Sequence, residues 1–236
     1  MAVCVLFGCS FRPEPGELGT TDGAPPGDGD DPPPGDTTTV TACDVEPTGS
    51  EADAPFIGGT GGQAKPDVTC AAGELPIGLS FNVSGPLQDH GNQVGMVHLH
   101  LRCGRITRGT DGVYTTMPAE LVDSNAGVSG GDCSDYFPNM LVDETLCPSG
   151  KVLVGIDANR IDSTLYNTVV LRCAALDLDG NVTAVVTTHP VENTGANNNN
   201  PMSSSCAAGM VITSFGIRSA CGHDQLAPRC SPISCN

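Results

Sequence analysis

Two short runs of strand-forming residues, separated by a polar segment, lie between Cys147 and Cys173. The first run, 152–156, holds valine, leucine, isoleucine and one glycine, which is typical of a strand buried on both faces or in a sandwich core. The polar segment 157–163 contains the turn formers aspartate and asparagine. From 165 to 172, Leu, Asn, Val and Leu alternate with Tyr, Thr, Val and Arg, so one set points inward and the other outward. The pattern predicts a hairpin of two strands held between two cysteines.

Weaker copies of this unit precede and follow it in the chain. Each copy opens with a cysteine followed three residues later by a glycine, and each closes with Arg-Cys. A second glycine follows at Gly78 and Gly155, whereas Ser214 takes that position in the third copy, where the nearest glycine is Gly216. Recurrence at intervals of about 60 to 75 residues predicts one supersecondary unit used three times. The three units are 70–103, 147–173 and 206–230.

The composition favours many short strands over helices. Aromatic residues make up 4% of the chain, tryptophan is absent, and there are 30 glycines and 19 prolines. Such a composition suits strands joined by turns and argues against a helical bundle. We therefore predict an all-β domain.

The chain has 12 cysteines, which predict structural disulfides. No two of them have the C-x-x-C spacing, which excludes zinc-ribbon and thioredoxin-like motifs. So many cysteines in a chain of this size are typical of an oxidising compartment. Pairing within the units gives Cys70–Cys103, Cys147–Cys173 and Cys206–Cys230. Cys43, Cys133, Cys221 and Cys235 are then left over, and many other pairings remain open on sequence grounds.

The formal net charge of −17 argues against nucleic acid and against anionic membrane surfaces as partners. Much of this charge lies outside the repeats. Residues 10–55 hold 11 of the 27 acidic residues and one basic residue, Arg12. The remaining chain therefore has an ordinary balance of surface charge.

The N-terminal residues Leu6-Phe7-Gly8-Cys9 fit a bacterial lipobox, which makes Cys9 the residue that receives a lipid. Only eight residues precede it, and none is basic, so 1–8 would be a truncated signal; the alternative is an accidental match with a free cysteine. Residues 9–55 are rich in proline, glycine and acids and predict a disordered tether. The folded domain is expected at 56–236.

No run of 18 apolar residues occurs, so the sequence predicts no spanning helix. Contact with a membrane is then expected only through the lipid anchor. These features together predict an extracytoplasmic protein, either a lipoprotein of the outer membrane or cell surface, or a secreted protein.

The second unit resembles the vitelline membrane outer layer protein I family. That family's repeat looks like C-P-x-G-x-x-x-x-G at its front and D-x-T-x-x-N-x-[IV]-x-L-x-C at its back. The residues of this chain that match the back of the motif are Asp162, Thr164, Asn167, Val169, Leu171 and Cys173. The resemblance implies a β-prism of three antiparallel sheets around a pseudo-threefold axis. It also implies a place in an extracellular coat or the binding of carbohydrate.

Several residues are candidates for metal binding or catalysis. His98 and His100 alternate on one predicted strand, so both imidazoles project from one face, as the start of a zinc site would. Ser129 lies in the sequence Gly-Val-Ser-Gly-Gly, which superficially resembles the nucleophile loop of serine proteases but lacks the context of a triad. Calcium is the possible cofactor, because acidic pairs could supply oxygen ligands, although none has the EF-hand spacing. These pairs are Asp157 with Asp162, Asp177 with Asp179, and Asp132 with Asp135.

Tyrosines are the candidate platforms for sugar binding, and they are Tyr114, Tyr136 and Tyr166. Packing in the core is the alternative fate for each of them. Three functional hypotheses follow. The first is a surface module that binds extracellular glycans, the second a structural subunit that contacts coat proteins edge to edge, and the third a hydrolase or metal-dependent enzyme on the same scaffold.

Overall fold

A computed structural model describes residues 39–60, 62–83, 96–123, 141–160, 166–192, 200–219 and 223–236. Their regular structure is all β, and the strand pairings are antiparallel, so the predicted all-β class is confirmed. The strands are β1 (Cys43–Pro47), β2 (Ala52–Asp53), β3 (Ile57–Gly58), β4 (Gln63–Thr69), β5 (Leu75–Val83), β6 (Met96–Arg108), β7 (Tyr114–Asp123), β8 (Leu141–Leu146), β9 (Val152–Arg160), β10 (Tyr166–Leu176), β11 (Val182–Thr187), β12 (Val191–Glu192), β13 (Asn200–Ser205), β14 (Met210–Ser219) and β15 (His223–Cys235).

The strands form three sheets of similar build, each centred on one repeat hairpin, and β1 links the first sheet to the third by pairing with both β6 and β15. The first sheet has the order β7-β6-β5-β8. In the second sheet β10 pairs with β9 along one edge and with β11 and β12 along the other edge. β13 pairs with the far edge of β9. In the third sheet β15 pairs with β14 along one edge and with β2 and β3 along the other edge. β4 pairs with the far edge of β14. The hairpins β5–β6, β9–β10 and β14–β15 correspond to the three repeats, so the predicted prism of three pseudo-repeats is confirmed.

Each sheet is completed by a strand from the next repeat. We call β4, β8 and β13 the leading strands, because each ends just before the first cysteine of a repeat. β8, which leads into the second repeat, pairs with β5 of the first, and β13, which leads into the third, pairs with β9 of the second. β4, which leads into the first repeat, pairs with β14 of the third. The chain is thus closed into a ring by its N-terminal part.

The core consists of layers to which every repeat contributes matching positions. One layer holds Leu79, Ile156 and Phe215, and the next holds Phe81, Ala158 and Ile217, all buried. The second strands supply their partners in the same registers, namely Leu101, Leu171 and Pro228 in the first layer and Leu99, Val169 and Leu226 in the second. The hairpins therefore share one apolar core rather than three separate ones.

Four disulfides join described residues. Three connect the first and last cysteines of the repeats, Cys70–Cys103, Cys147–Cys173 and Cys206–Cys230, and these are the pairs that the repeat pattern predicts. The fourth joins Cys43 to Cys235. Cys133 and Cys221, which the pattern left over with them, lie outside the described residues.

The predicted boundary between tether and domain at residue 55 is too late in the chain. β1 and β2 lie within the range 9–55 and pair with the last strand, β15. Val45 in β1 is buried in a second apolar cluster, together with Leu75, Ile106 and Val211, and Cys43 is held by its disulfide. A segment that looks like a solvated linker by composition is therefore ordered at its end by pairing and burial. None of the described residues belongs to a helix that could cross a membrane.

The turn between β10 and β11 is centred on Asp177. Its Oδ1 accepts hydrogen bonds from the backbone N–H groups of Asp179 and Asn181 at 2.9 and 2.8 Å. The Asn181 side chain donates to the same carboxylate, and these bonds hold the pKa of Asp177 below its ordinary value. Gly180 adopts a left-handed conformation with φ of 82°, which favours glycine. Asp177 and Asp179, one of the predicted calcium pairs, thus lie in a turn. Backbone N–H groups and the Asn181 side chain of that turn already donate to the Asp177 carboxylate.

Candidate functional site

The arginine of each Arg-Cys motif lies on the outer face of its sheet. Arg102 is paired with Gly78 and Arg172 with Gly155 across their hairpins, and Arg229 is paired with Ser214. The repeats therefore remain in register at the position where serine replaces glycine.

The glycine opposite Arg172 leaves room for the arginine side chain. A Cβ atom at Gly155 would lie 2.8 Å from Ser205 Oγ and 3.1 Å from Arg172 Cδ. Such distances are shorter than ordinary van der Waals contact, so a larger residue would displace its neighbours.

In the first and third sheets, the arginine pairs with an acid on the leading strand. Arg102 reaches across β5 to Glu144 on β8. Arg229 reaches across β14 to Asp67 on β4, with 2.9 Å between Nη2 and Oδ2. These pairs hold the leading strand against its sheet, although each is about one-third exposed and should contribute only about 0.2–1 kcal/mol.

The second sheet places its acid differently. Its leading strand β13 is uncharged, and the acid is Asp157 on the central strand β9. Arg172 Nη1 donates to Ser205 Oγ at 2.7 Å, while Arg172 Nε lies 3.5 Å from Asp157 Oδ2. Ser203 Oγ donates to Asp157 Oδ1 at 2.6 Å. The two charges are thus fixed by hydroxyl groups and paired loosely, and both side chains remain more than one-third exposed.

Two hollows lie on this outer face, on either side of the Arg172–Asp157 pair. The upper hollow has a volume of about 250 Å³, and its polar lining consists of Asp157, Asn159, Thr168 and Ser203, with Val170 and Met202 among its apolar residues. The lower hollow, of about 330 Å³, includes Arg172, Ser205 and Met210 in its wall. Together the two hollows form a groove along β9, bordered by β13 on one side and by β10 and β11 on the other.

The upper hollow suits a ligand with several hydroxyl groups. The carboxylate of Asp157 accepts hydrogen bonds, the amide of Asn159 both donates and accepts, and the Ser203 hydroxyl, which donates to Asp157, can accept. Asp157 and Asn159 are two positions apart on one strand, so they face the same side with Cα atoms about 6.6 Å apart. A few placed polar groups beside apolar surface are typical of small-molecule sites.

Tyr114, one of the predicted sugar platforms, makes packing contacts. Its hydroxyl donates to the carbonyl oxygen of Asp177 at 3.0 Å and lies 3.9 Å from Cys235 Sγ. The guanidinium carbon of Arg108 lies 5.9 Å from the ring centroid, within the range of a cation–π contact. These contacts tie the β10–β11 turn to β7 and to the terminal disulfide, and they place Tyr114 away from the groove.

The other predicted site residues fall largely outside what the structure describes. Tyr136, Ser129 and Cys9 are not among the described residues, and neither are the side chains of Tyr166 and His98. His100 is paired with Ser80 in the first sheet. Across the described ranges, no three His, Cys, Asp or Glu side chains come together as a metal site requires. The zinc and calcium sites therefore stay predictions.

Sequence reasoning did not bring Arg172, Ser203 and Ser205 into a site with Asp157. Asp157 was a candidate only as a calcium ligand, with Asp162 as its partner. The signal that could have pointed to Arg172 is the recurrence of arginine before the closing cysteine of each repeat. No comparable signal exists for Ser203 and Ser205, because their strand reads as a polar loop.

No family model matches the chain, and no curated protein matches it in sequence. Among solved structures it is similar to Calystegia sepium agglutinin, with 13% identity, a TM-score of 0.44 and coverage of 78% of this chain and 99% of the other. It is also similar to a mannose-specific jacalin-related lectin from Morus nigra in complex with mannose, with 12% identity, a TM-score of 0.43 and coverage of 78% and 96%.

A third similar structure is a mannose-binding jacalin-related lectin from Ananas comosus, with 15% identity, a TM-score of 0.39 and coverage of 77% and 98%. At TM-scores below 0.5 these likenesses carry no information about ligand or mechanism. Membership of the vitelline membrane outer layer protein I family stays a prediction.

Proposed function

We propose that the protein is an extracytoplasmic binding module whose ligand is a carbohydrate held in the upper hollow of the second sheet. The observation that carries the proposal is the convergence of Asp157, Asn159, Thr168 and Ser203 around one hollow. Sugars offer neighbouring hydroxyl groups that both donate and accept, and this set of side chains complements them.

The loose charge pair supports the same function. In the first and third sheets the acid lies on the leading strand and forms an ion pair with the arginine of the repeat. In the second sheet Asp157 shares its oxygens between Ser203 and a more distant Arg172, so one exposed carboxylate faces solvent beside an apolar floor. A ligand hydroxyl can add a charge-assisted hydrogen bond there without displacing a tight ion pair.

Binding is expected to depend on Asp157. On an array of mono- and oligosaccharides the full chain should give hits, and Asp157→Ala should weaken binding to the best hit by at least about tenfold, because a hydrogen bond to a charged group contributes about 1.5–3 kcal/mol. Isothermal titration with that sugar would measure the change, and Asn159→Ala should act in the same direction.

Glu144→Ala is the matched control. It breaks the corresponding arginine pair in the first sheet and leaves the groove on the second sheet untouched. It should therefore match Asp157→Ala in stability and the native protein in affinity. An array without hits, or equal affinities for Asp157→Ala and Glu144→Ala, would contradict a sugar site in this hollow.

We also propose that a lipid on Cys9 holds the module at the cell surface through the acidic tether. The support is the lipobox-like sequence and the composition of the residues that follow it. Four disulfides fit an oxidising compartment, whether or not a lipid is attached.

Intact-mass measurement of protein purified from its native host should show a chain that begins at Cys9 and carries diacylglycerol. The same spectrum before and after reduction reports how many cysteine pairs are oxidised. An unprocessed chain with Cys9 unmodified would refute the anchor and leave the binding proposal unaffected.

A further inference from the structure

One outer strand of the prism lacks the features that protect sheet edges. Outer strands can pair with other chains, and natural proteins prevent this with charges, prolines or short strands. Among the described strands, β11 is the exception, since its sequence Val-Thr-Ala-Val-Val-Thr has neither a charge nor a proline. Each other outer strand is two residues long or carries a protecting residue: Pro66 and Asp67 in β4, Pro118 in β7, Asp143 and Glu144 in β8, and Pro201 in β13.

The side chains of β11 are exposed on both faces. Val185 is 54% exposed and Val186 is 38% exposed. Within the described residues, β11 pairs on one side only, with β10. An uncharged strand with exposed valines offers a place where two copies could meet without like-charge repulsion.

We propose that β11 pairs antiparallel with β11 of a second copy, which makes the protein a two-fold dimer. This inference is independent of the proposed sugar site. Antiparallel self-pairing requires a two-fold axis perpendicular to the sheet, so opposed residues must lie on the same face. A register centred on Val185 places this valine opposite its symmetry mate and Thr183 opposite Thr187. The pair of β-branched valines and the pairs of threonines are both cross-strand contacts that stabilise antiparallel pairing.

The proposed pairing produces a closed dimer and no fibre. A two-fold contact uses the same surface on both copies, so no copy retains an unprotected β11 for a third. The alternative of a coat subunit that packs edge to edge would require a second unprotected edge. The second sheets of the two copies would become one continuous sheet, and their outer faces would lie on the same side.

Light scattering after size exclusion tests the dimer with the full chain. The native protein should show twice the chain mass of 24.0 kDa at high concentration. Val185→Lys places two lysines opposite each other at the axis and should yield the monomer. Val113→Lys is the matched control, because Val113 is also 54% exposed but lies outside β11, and it should remain dimeric. A monomeric native protein, a dimeric Val185→Lys or a monomeric Val113→Lys would overturn the proposal.

Cross-linking tests the register separately. Directly opposed residues of antiparallel strands have Cα atoms about 4.5–5.5 Å apart, within the range that a disulfide spans. Val185→Cys should therefore give a covalent dimer on non-reducing gels after mild oxidation, whereas Val113→Cys should not. Equal cross-linking of the two variants, or none with Val185→Cys, would overturn the pairing centred on Val185.

Discussion

Replacing both Cys43 and Cys235 with serine is expected to lower the free energy of unfolding by about 4–5 kcal/mol. The two cysteines are 192 positions apart, so their disulfide constrains almost the whole folded domain in the unfolded state. Both residues are only half-buried, and the substitution therefore removes a cross-link without opening a large cavity. The other disulfides shorten the effective loop, which keeps the expected value near the upper end of the usual range.

The same disulfide holds together the two ends of the domain. β1 pairs with β15 beside it, and Asp44 and Asn236 exchange two backbone hydrogen bonds of 2.9 Å. Without the cross-link the paired ends of β1 and β15 should fray, because these contacts involve only residues near the two ends of the domain.

Urea unfolding of the non-reduced proteins would measure the difference. The control variant Asp44→Ser with Ser234→Ala changes neighbouring residues on the same strands and should cost less than about 1 kcal/mol. A similar cost for both variants would mean that strand pairing alone closes the domain.

Phe81→Ala is expected to destabilise the protein by about 3–5 kcal/mol, as is usual for a buried phenylalanine. Phe81 is 1% exposed and belongs to the core layer that also contains Ala158 and Ile217. Because the first strand of the second repeat already contributes only the methyl group of Ala158 to this layer, a second alanine would leave a cavity that the surrounding strands cannot readily fill.

The control for this substitution is Phe56→Ala. Phe56 is 47% exposed, and its truncation should change the free energy of unfolding by no more than about 0.5 kcal/mol. Thermal or urea unfolding of both variants gives the comparison. A cost below about 1 kcal/mol for Phe81→Ala would show that the three repeats do not share a tightly packed axis.

Much of the fold could be predicted from the sequence because the repeat hairpins carry strong local signals. The apolar run at 152–156, the alternation up to Leu171 and the bracketing cysteines are all short-range features. Each has a direct structural meaning, in buried strands, in inward and outward faces, and in a cross-link between strand ends. The hairpins therefore follow from the residues themselves, and the disulfides within the repeats are one of the pairings that the sequence left open.

The leading strands could not be predicted in the same way. In β4 only Val68 is buried, and β13 reads Asn-Pro-Met-Ser-Ser-Ser, which is typical of a loop. These segments become strands because a neighbouring repeat offers an edge with unpaired backbone groups, and most residue types can supply the N–H and C=O groups that pair with it. The predicted boundary at residue 55 was wrong for the same reason, since β1 and β2 are ordered by pairing with β15.

The sequence by itself determined three cysteine-bracketed hairpins and an acidic N-terminal segment, because these depend on residue type and short spacing. The tertiary structure alone decided which strand completes which sheet, and hence that Asp157, Arg172 and the serines of β13 meet on one face. Asp157 and Arg172 lie on the two strands of one hairpin, but the serines belong to β13, and only the pairing of β13 with β9 brings them within hydrogen-bonding distance of the other two.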